Sequence, residues 1–498
     1  MTRSLKPFDK GTVHFCGIGG IGMSGIAEVL YEIGYQVQGS DLKSNDTTKR
    51  LQERGIRVIK GQTEENLIDE NGRPVELLVA SAAVPADNPE IISAKSLRIP
   101  IMDRAEMLGE IMRLKWSIGV AGTHGKTTTT TLVSAMLDHG GYDPTVINGG
   151  IVNAYGANSR HGEGEWIVAE ACEAYGSILH FRPTIGVVTN IDPEHLDYYK
   201  TFDNLKRAFR AYLQNLPFYG FGVVCIDDHN AQSLLKDVTD RSIYTYGTSP
   251  QADCRARNIR IDSRGSTFDL RINGRLTRKA RTVKDIFLPM PGRHNVLNSL
   301  AAITIGLRFD MSEKTIKETL ANFTGVKRRF TKTGEVDGIT IIDDYGHHPV
   351  EIKAVLKAAR ESRSGDKGRR GKIIAVFQPH RYSRLNDLFD EFCNCFNDAD
   401  IALITDIYAA GEKPIKGREK EDLAQGMTAA GHRKARAFDG DIERLANEII
   451  RVSDSGDLVI CLGAGSISKW ANALPDAMKA LKSNKSESDD PHKRVQSN

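Results

Sequence analysis

Short runs of apolar residues alternate with amphipathic stretches along most of the chain. A helix is predicted from Gly22 to Gly34, between the first two apolar runs. Alternation of this kind is typical of parallel sheets covered by helices, so the sequence predicts an α/β fold. The predicted strands are residues 13–16, 35–38, 77–80, 117–120, 166–169, 184–189, 222–226, 242–246, 340–342, 372–377, 401–405 and 458–462.

One segment has a different pattern. Residues 254–286 alternate polar and apolar positions and have turn signals at Gly265 and Asn273-Gly274, which predicts a small antiparallel insert. A chain of 498 residues is too long for one core, so about three domains are expected. With the motifs described below, the predicted domains are 1–111, 112–326 and 327–482, followed by a charged, disordered tail at 483–498.

Composition narrows the class of protein. Lys and Arg total 67 against 64 Asp and Glu, a net charge of +3 that gives no indication of nucleic-acid binding. The start of the chain is polar and no apolar run approaches the roughly 18 residues that span a bilayer, so no membrane association is expected. The seven cysteines form no CxxC pair, which favours a reducing, cytoplasmic location.

The strongest motif is a glycine-rich loop between a predicted strand and a predicted helix. Its backbone N–H groups and the helix N-terminus favour phosphate, Lys126 supplies a positive charge, and Thr127 supplies a hydroxyl for Mg²⁺. Val120 stands where the first glycine of the usual pattern would be, so the loop is a shorter variant. The sequence predicts an ATP site at Gly122, Thr123, His124, Gly125, Lys126, Thr127 and Thr128.

Two further polar residues follow predicted strands of the same domain. Glu170 ends the strand at 166–169, and His195 comes shortly after the strand at 184–189. Ligands of open α/β sheets bind at the carboxyl ends of strands, where Mg²⁺ bound to a nucleotide needs protein ligands. We therefore predict that Thr127, Glu170 and His195 form a metal site.

A second glycine loop, Gly17-Ile18-Gly19-Gly20-Ile21-Gly22, follows the first strand, and Asp41 ends the second. The pattern predicts a diphosphate at a helix N-terminus, which NAD or a UDP-sugar could supply. A nicotinamide-dependent oxidoreductase or a nucleotide sensor therefore remains an alternative. The phosphate loop favours a different interpretation, in which one nucleotide carries the substrate and another drives the reaction.

Two predicted strands near the C-terminus end in segments dense in His, Arg and Tyr. The first is Asp343-Asp344-Tyr345-Gly346-His347-His348-Pro349, and the second is Gln378-Pro379-His380-Arg381-Tyr382-Ser383-Arg384. Arginines in such a position need an anion or an acid to pair with. This domain is predicted to face an anionic substrate.

These segments, together with Gly292-Arg293-His294-Asn295-Val296-Leu297-Asn298, resemble the Mur ligases of peptidoglycan synthesis over about residues 13–480. The resemblance implies a Rossmann-like UDP-sugar domain, a central ATPase domain and a Rossmann-like C-terminal domain that contacts the amino acid and ATP. The segment from His14 to Gly25 is similar to members that add L-alanine to UDP-N-acetylmuramate. Members that attach a murein tripeptide to this UDP-sugar are the alternative, although their front glycine loop differs.

The resemblance also implies roles for individual residues. The catalytic set is Lys126, His348, His380, Arg381 and Arg384. Further ATP contacts are expected at Asn295, Asn298, Arg329 and Asp343. The expected UDP-sugar contacts are Gly17, Gly19, Gly20, Gly22, Met23, Ser24, Asp41 and Ser81.

The implied activity is an ATP- and Mg²⁺-dependent ligation of L-alanine to UDP-N-acetylmuramate through an acyl phosphate, by a monomer or homodimer. One position departs from the family pattern, because Cys172 replaces the acid that usually stands two residues after Glu170. Cys172 cannot take the acidic role of that residue. Glu173 is expected to contribute less to this acidic role than its counterpart in the family does.

Overall fold

The computed structural model describes residues 11–81, 83–364 and 371–488. Its strands form three sheets of five, ten and six strands, with helices between them along the chain. The α/β fold predicted from the sequence is confirmed. Among the described helices, none combines the length and the hydrophobicity that crossing a membrane requires.

The first sheet is parallel, in the order β3-β2-β1-β4-β5. A 3-10 helix covers Glu64–Leu67. The elements are β1 (Val13–Cys16), α1 (Ile21–Glu32), β2 (Val37–Asp41), α2 (Asp46–Glu53), β3 (Arg57–Lys60), β4 (Leu77–Ala80), α3 (Pro89–Ser96), β5 (Ile101–Asp103) and α4 (Arg104–Met112).

The second sheet is mixed, in the order β15-β14-β13-β12-β11-β10-β6-β9-β7-β8. Two 3-10 helices cover Ala174–His180 and Leu234–Lys236. The strands are β6 (Trp116–Ala121), β7 (Thr145–Val152), β8 (Ala157–Arg160), β9 (Trp166–Glu170), β10 (Ile185–Val188), β11 (Phe221–Cys225), β12 (Ile243–Gly247), β13 (Cys254–Asp262), β14 (Gly265–Ile272) and β15 (Arg281–Leu288). The helices are α5 (Lys126–His139), α6 (Leu196–Tyr199), α7 (Phe202–Gln214), α8 (His229–Ser233), α9 (Gly274–Thr277), α10 (Arg293–Arg308) and α11 (Glu313–Ala321).

The predicted insert forms one edge of this sheet. Strands β13 and β14 are neighbours joined by two residues, and a connection this short requires an antiparallel hairpin. The opposite edge also has an antiparallel pair, β7 and β8. Between the two edges, β9, β6, β10, β11 and β12 are parallel, so the carboxyl ends of β6, β9 and β10 meet at one side of the sheet.

The third sheet has the order β16-β17-β21-β18-β19-β20, in which only the β16–β17 pairing is antiparallel. Its strands are β16 (Thr331–Val336), β17 (Ile339–Asp344), β18 (Ile373–Phe377), β19 (Ile401–Ile404), β20 (Ala435–Ala437) and β21 (Leu458–Leu462). Its helices are α12 (Pro349–Ser364), α13 (Tyr382–Asp387), α14 (Phe389–Asn394), α15 (Lys420–Ala429), α16 (Ile442–Val452) and α17 (Ile467–Ser488).

The predicted tail needs one correction. Helix α17 continues to Ser488, so residues 483–488 are helical rather than disordered, and residues 489–498 lie outside the described part. The sequence did not predict this extension, because residues 483–488 lack an apolar pattern. They can still be helical, since adding residues to an existing helix avoids the cost of nucleation. Backbone contacts divide the chain into a first unit (1–258, 268–286 and 296–326) and a second unit (259–267, 287–295 and 327–498).

A buried polar network lies within the first sheet, close to the Gly17 loop. Glu90, which is fully buried, accepts hydrogen bonds from Ser40 Oγ at 2.8 Å and from Asn66 Nδ2 at 2.6 Å. Its carboxylate also lies 3.3 Å from His14 Nε2 on β1. Burial opposes its charge, but contact with His14 and the hydrogen bonds from Cys16 and Asn66 together lower the pKa of Glu90. The network ties three segments of the first sheet together beside the loop.

Replacing Glu90 with alanine should destabilise the protein by about 3 kcal/mol, because three buried polar groups lose their partner. Urea unfolding followed by circular dichroism measures the change. Glu110→Ala, which removes an exposed carboxylate paired with Arg113, is the matched control and should have little effect. Equal effects of the two substitutions would show that the network does not stabilise the fold.

Candidate functional site

The phosphate loop between β6 and α5 requires glycine at two positions. Gly122 has φ +137°, and a Cβ atom there would lie 1.9 Å from Thr189 Oγ1. Gly125 has φ +80°, and its Cβ would lie 2.5 Å from Asn298 Oδ1. Because any larger residue would collide at both places, the loop can approach β10 and α10 this closely only with glycine.

The loop is also fixed to the segment that follows β10. The N–H of His124 donates to Asn190 Oδ1 at 2.7 Å, and Thr189 Oγ1 donates to the carbonyl of His124, also at 2.7 Å. The His124 ring lies 3.1 Å from Asp192 Oδ2. Thr123 donates its N–H to the carbonyl of Asn190 at 3.0 Å. These contacts attach the loop to residues 189–192.

Lys126 lies at the first position of α5 and is almost buried. Its Nζ donates to the carbonyls of Gly122 and Thr123 at 2.6 and 3.0 Å. It also lies 2.9 Å from Glu173 Oε2, and Glu173 is itself buried. Burial works against the ammonium charge, but Glu173 and the other negative groups around it, Glu170 among them, together raise the pKa of Lys126. Lys126 is therefore a permanent positive charge inside the loop.

The predicted metal ligands lie in two adjoining groups. Thr127 Oγ1 donates to Glu170 Oε2 at 2.8 Å, and the N–H of Gly149 donates to the same oxygen at 3.0 Å. His195 lies with Glu173 and Glu194, and one ligand atom from each lies within 4.8 Å of the others. The carboxylate and hydroxyl oxygens suit a Mg²⁺ ion bound to phosphate, whereas an imidazole is a ligand more typical of transition metals.

The environment of Cys172 is consistent with the expectation that it has no acidic role. Burial, and then the neighbouring Glu173 carboxylate, raise the pKa of its thiol. The reduced role expected for Glu173 stays a prediction, but the structure gives Glu173 a contact that the sequence did not indicate. Glu173 is 1% exposed and forms the ion pair with Lys126 described above.

The remaining predicted ATP residues of the central domain lie in α5 and α10. Thr128 is buried in the first turn of α5, next to the loop. Asn298 Oδ1 lies against Gly125 and accepts a hydrogen bond from Thr129 Oγ1 at 3.2 Å. Asn295, one turn earlier on α10, donates through Nδ2 to the carbonyl of Pro291 at 2.8 Å. Asn298 thus supports the phosphate loop directly.

The predicted UDP-sugar residues meet at the carboxyl ends of β1, β2 and β4. Gly17 has φ +81°, and a Cβ there would lie 3.2 Å from Ser81 Cβ. The N–H of Gly19 donates to Asp41 Oδ2 at 2.9 Å, so this acid anchors the loop. The other predicted residues of this site begin or precede α1: Gly20, Gly22, Met23 and Ser24.

In the second unit, Glu351 contacts two histidines that follow β17 and one arginine that precedes β16. Its carboxylate accepts the N–H groups of His347 and His348 at 3.1 and 3.3 Å and lies 4.0 Å from Arg329 Nη1. The Arg329 guanidinium also lies 5.1 Å from the centre of the Tyr345 ring. Sequence reasoning identified His348 and Arg329 but not Glu351, which joins them.

His380 is the centre of a second group in this unit. Its ring stacks on Tyr408 at 5.3 Å and lies 5.9 Å from the His347 ring. Arg384 Nη1 lies 3.5 Å from His380 Nδ1. Burial, then the positive groups of His347, Arg384 and Arg381, lower the pKa of His380 to about 4. At neutral pH the ring is uncharged and can accept a proton.

The last two predicted residues are Arg381, which follows His380, and Asp343 near the end of β17. Arg381 has φ +69° and lies half-exposed, with Nη1 4.0 Å from Glu412 Oε1. Asp343, at the end of β17, accepts a hydrogen bond from Ser468 and lies 3.9 Å from Arg328 Nε. Burial is the main cause that raises the pKa of Asp343.

The sequence did not identify several residues that complete these groups. These residues are Gly149, Glu194, Glu351, Tyr408 and Glu412. Glu194 adjoins the predicted His195, and Glu351 follows the predicted His348 by three residues, so their positions were usable signals. The other three come from separate segments, and nothing in their local pattern distinguishes them from ordinary surface or core residues.

The lowered pKa of His380 can be measured directly. Long-range ¹H–¹⁵N NMR of the histidine rings should give His380 a pKa of about 4. Arg384→Gln removes a neighbouring positive charge and should raise that pKa. Since the pKa lies below the ordinary value of 6.5, His380 should stabilise the fold above pH 6.5 and lose this contribution as the pH falls towards 4. A wild-type pKa near 6.5 would contradict the described burial.

Three family models match the chain in order. "Mur ligase family, catalytic domain" covers residues 12–116, "Mur ligase middle domain" 120–306, and "Mur ligase, glutamate ligase domain" 328–465. The matched segments follow the three sheets. The first model contains β1 to β5, the second contains the end of β6 and all of β7 to β15, and the third contains every strand of the third sheet. The matches leave only short stretches between them.

Full-length relatives agree with these models. The chain is 54% identical to the UDP-N-acetylmuramate–L-alanine ligase of Rhodospirillum rubrum over 95% of this chain and 96% of that one. It is 54% identical to the protein of the same name from Agrobacterium fabrum, covering 96% and 98% of the two chains.

A solved structure is similar over nearly the whole fold. It is the UDP-N-acetylmuramate–alanine ligase of Thermotoga maritima, with a TM-score of 0.77, 28% identity, and coverage of 95% of this chain and 100% of that one. The murein peptide ligase of Psychrobacter arcticus shares the fold at a TM-score of 0.66 and 21% identity, covering 94% and 98%. With three matching domain models and relatives of this identity along its length, the chain belongs to the Mur ligase family.

Proposed function

We propose that this chain joins L-alanine to the lactyl carboxylate of UDP-N-acetylmuramate and uses ATP to drive the reaction. The observation that carries the proposal is the pairing of Lys126 with Glu173 inside a phosphate loop that glycines hold in place. The 54% identity to relatives named for this reaction supports the choice of sugar and amino acid.

The first step makes the carboxylate reactive. A carboxylate is a poor electrophile, so one of its oxygens attacks the γ-phosphoryl group of ATP, giving an acyl phosphate and ADP. Lys126 and the N–H groups at the start of α5 offset the charge that builds on the transferring phosphoryl oxygens. Because Lys126 is permanently charged, this stabilisation is available throughout the neutral pH range.

Mg²⁺ would be held by Thr127, Glu170 and His195, and would offset phosphate charge where it binds. In the described structure Glu170 accepts two hydrogen bonds and is therefore fixed in direction. Glu173 and Glu194 lie beside His195 and add negative charge on that side. This arrangement supports a cation site next to the phosphate loop.

The second step forms the amide. The amino group of alanine attacks the carbonyl carbon of the acyl phosphate, and phosphate leaves with the bridging oxygen. The attacking amine must lose a proton, and neutral His380 is a group able to accept one. Arg381 and Arg384 would stabilise the negative oxygen and the leaving phosphate, while His348 is held by Glu351 near them.

The UDP-sugar is assigned to the loop at Gly17. Its diphosphate would lie against the N-terminus of α1, which Asp41 positions through Gly19. Full-length relatives at 54% identity support the alanine-adding activity. The tripeptide-adding alternative has less support, because the murein peptide ligase structure is only 21% identical and supports the fold alone. An oxidoreductase would leave the phosphate loop without a role.

The substrate assignment can be tested by mass spectrometry of the products. With ATP, Mg²⁺ and UDP-N-acetylmuramate, L-alanine should give an amide product and an equal amount of phosphate. In separate reactions, glycine, L-serine or a murein tripeptide replaces L-alanine as the amine substrate. Preferred use of the tripeptide, or phosphate release that is independent of the sugar, would contradict the proposal.

The metal site and the acyl-transfer site should respond differently to Mg²⁺. Glu170→Ala or His195→Ala should raise the Mg²⁺ concentration for half-maximal rate by about tenfold or more, because each removes a ligand. Arg381→Ala or Arg384→Ala should lower kcat, by about 10²-fold, and leave the Mg²⁺ requirement unchanged. Titrations of activity with Mg²⁺ measure both effects.

Glu163→Ala is the control for these titrations, since its side chain is 92% exposed. It should behave as the wild type. Superimposable Mg²⁺ curves for Glu170→Ala and Arg381→Ala would refute the assignment of the two residues to different roles.

A further inference from the structure

The start of helix α1 is bonded to the second sheet through one buried side chain of β8. Asn158 is 2% exposed, and its Nδ2 donates to the carbonyl of Ile21 at 2.6 Å. Ile21 is the first residue of α1 and directly follows the glycines of the first loop. The hydrogen bond therefore joins the loop end of α1 to a strand of another sheet.

The side-chain amide of Asn158 has a fixed orientation, because its two ends have different partners. Arg50 Nη2 donates to Asn158 Oδ1 at 3.2 Å, while the amide nitrogen faces the Ile21 carbonyl. A guanidinium can only donate and a carbonyl can only accept, so turning the amide over would lose both hydrogen bonds. Arg50 is held in turn by Glu28, whose Oε1 accepts from Arg50 Nε at 2.9 Å.

Gly25 makes room for this contact on the side of the helix. A Cβ atom at Gly25 would lie 2.8 Å from Asn158 Nδ2 and 3.3 Å from Ser159 Cβ. Any larger residue would push the amide away from the Ile21 carbonyl. Gly25 is not among the residues expected to contact the sugar nucleotide, so its place in the glycine pattern follows from this packing.

The strand that carries Asn158 is itself held in place. Strand β8 pairs with β7, and Asn148 Nδ2 on β7 donates to Thr131 Oγ1 of α5 at 2.6 Å. The N–H of Gly149, on the same strand, donates to Glu170. The β7–β8 hairpin thus contacts both α1 and α5, the two helices that begin at the glycine loops.

The Ile21 carbonyl belongs to the same peptide unit as the Gly22 N–H. This peptide is trans. A trans peptide is planar, so its C=O and N–H point in opposite directions, and a partner that holds the oxygen also fixes the direction of the N–H. In the first turn of a helix that N–H points out of the N-terminus and has no partner within the helix. A hydrogen bond to the carbonyl also strengthens the N–H of the same peptide as a donor.

We propose that Asn158 is a positioning residue for the sugar nucleotide and acts through the peptide unit of Ile21 and Gly22. The inference rests on the proposed function, in which the diphosphate of the UDP-sugar lies against the N-terminus of α1. Asn158 holds the carbonyl end of this peptide, and the N–H end donates to a phosphate oxygen. Its side chain therefore affects the affinity for the sugar nucleotide and not the affinity for ATP.

Asn158→Ala tests the proposal on the two nucleotides separately. The variant should raise KM for UDP-N-acetylmuramate by about fivefold, the effect of one hydrogen bond, and leave KM for ATP and kcat unchanged. Titration calorimetry with UDP-N-acetylmuramate alone should show the same loss of affinity. Ser24 Oγ still donates to the Ile21 carbonyl in this variant. Arg50 likewise keeps its contact with Glu28, so both partners of Asn158 retain another hydrogen bond.

Ser159→Ala is the matched control on the same strand. Ser159 is also buried, and its Oγ donates to Glu28 of α1, about two turns further along the helix. Loss of this bond should lower the thermal stability of the protein and leave both KM values unchanged. Equal rises of KM for the sugar nucleotide in Ser159→Ala and Asn158→Ala would show a general loosening of α1 and would overturn the proposal.

Gly25→Ala disturbs the same contact from the helix. It should raise KM for the sugar nucleotide by displacing the Asn158 amide, but add little in a chain that already carries Asn158→Ala. Additive effects in the double variant, or unchanged affinity in Asn158→Ala, would overturn this inference alone. Wild-type protein that does not bind UDP-N-acetylmuramate would overturn the sugar assignment of the proposed function, and this inference with it.

Discussion

The centre of the first unit depends on how closely the backbone at Gly122 approaches Thr189. No side chain fits between them, and the same is true of Gly125 and Asn298. This closeness brings the carbonyls of Gly122 and Thr123 within reach of Lys126 Nζ, where Glu173 completes the set of acceptors. The loop is thus built around its own lysine.

Glu170 and Glu173 are three residues apart and have different roles at the phosphate loop. Glu173 balances the charge of Lys126 from a buried position, while Glu170 orients Thr127 at the edge where a cation would lie. In the second unit, His380 lies among positive groups. Burial and these neighbours, the arginines among them, lower its pKa and keep the ring uncharged. The same physical effects, burial and nearby charge, therefore give a permanent cation at one place and a neutral imidazole at the other.

Much of this could be predicted from the sequence, for identifiable reasons. The strands β1, β4 and β21 were predicted to the residue, because fully buried parallel strands are short apolar runs between polar turns. The glycine loops were predicted because their spacing reflects a backbone requirement. Strands β3, β5, β7, β8, β16 and β20 lack such a run, and their existence depends on pairing with a neighbour. The pairing of Glu173 with Lys126 and the stacking of Tyr408 on His380 were not predicted, because only the folded chain brings these residues together.

The central claim is that the sugar's carboxylate is activated by taking a phosphoryl group from ATP. Labelling both oxygens of the lactyl carboxylate of UDP-N-acetylmuramate with ¹⁸O tests it most directly. When the amine displaces phosphate from the acyl phosphate, the C–O bond breaks and the bridging oxygen leaves with phosphorus. The account predicts inorganic phosphate with one ¹⁸O atom for each amide formed. Unlabelled phosphate accompanying amide formation would contradict it.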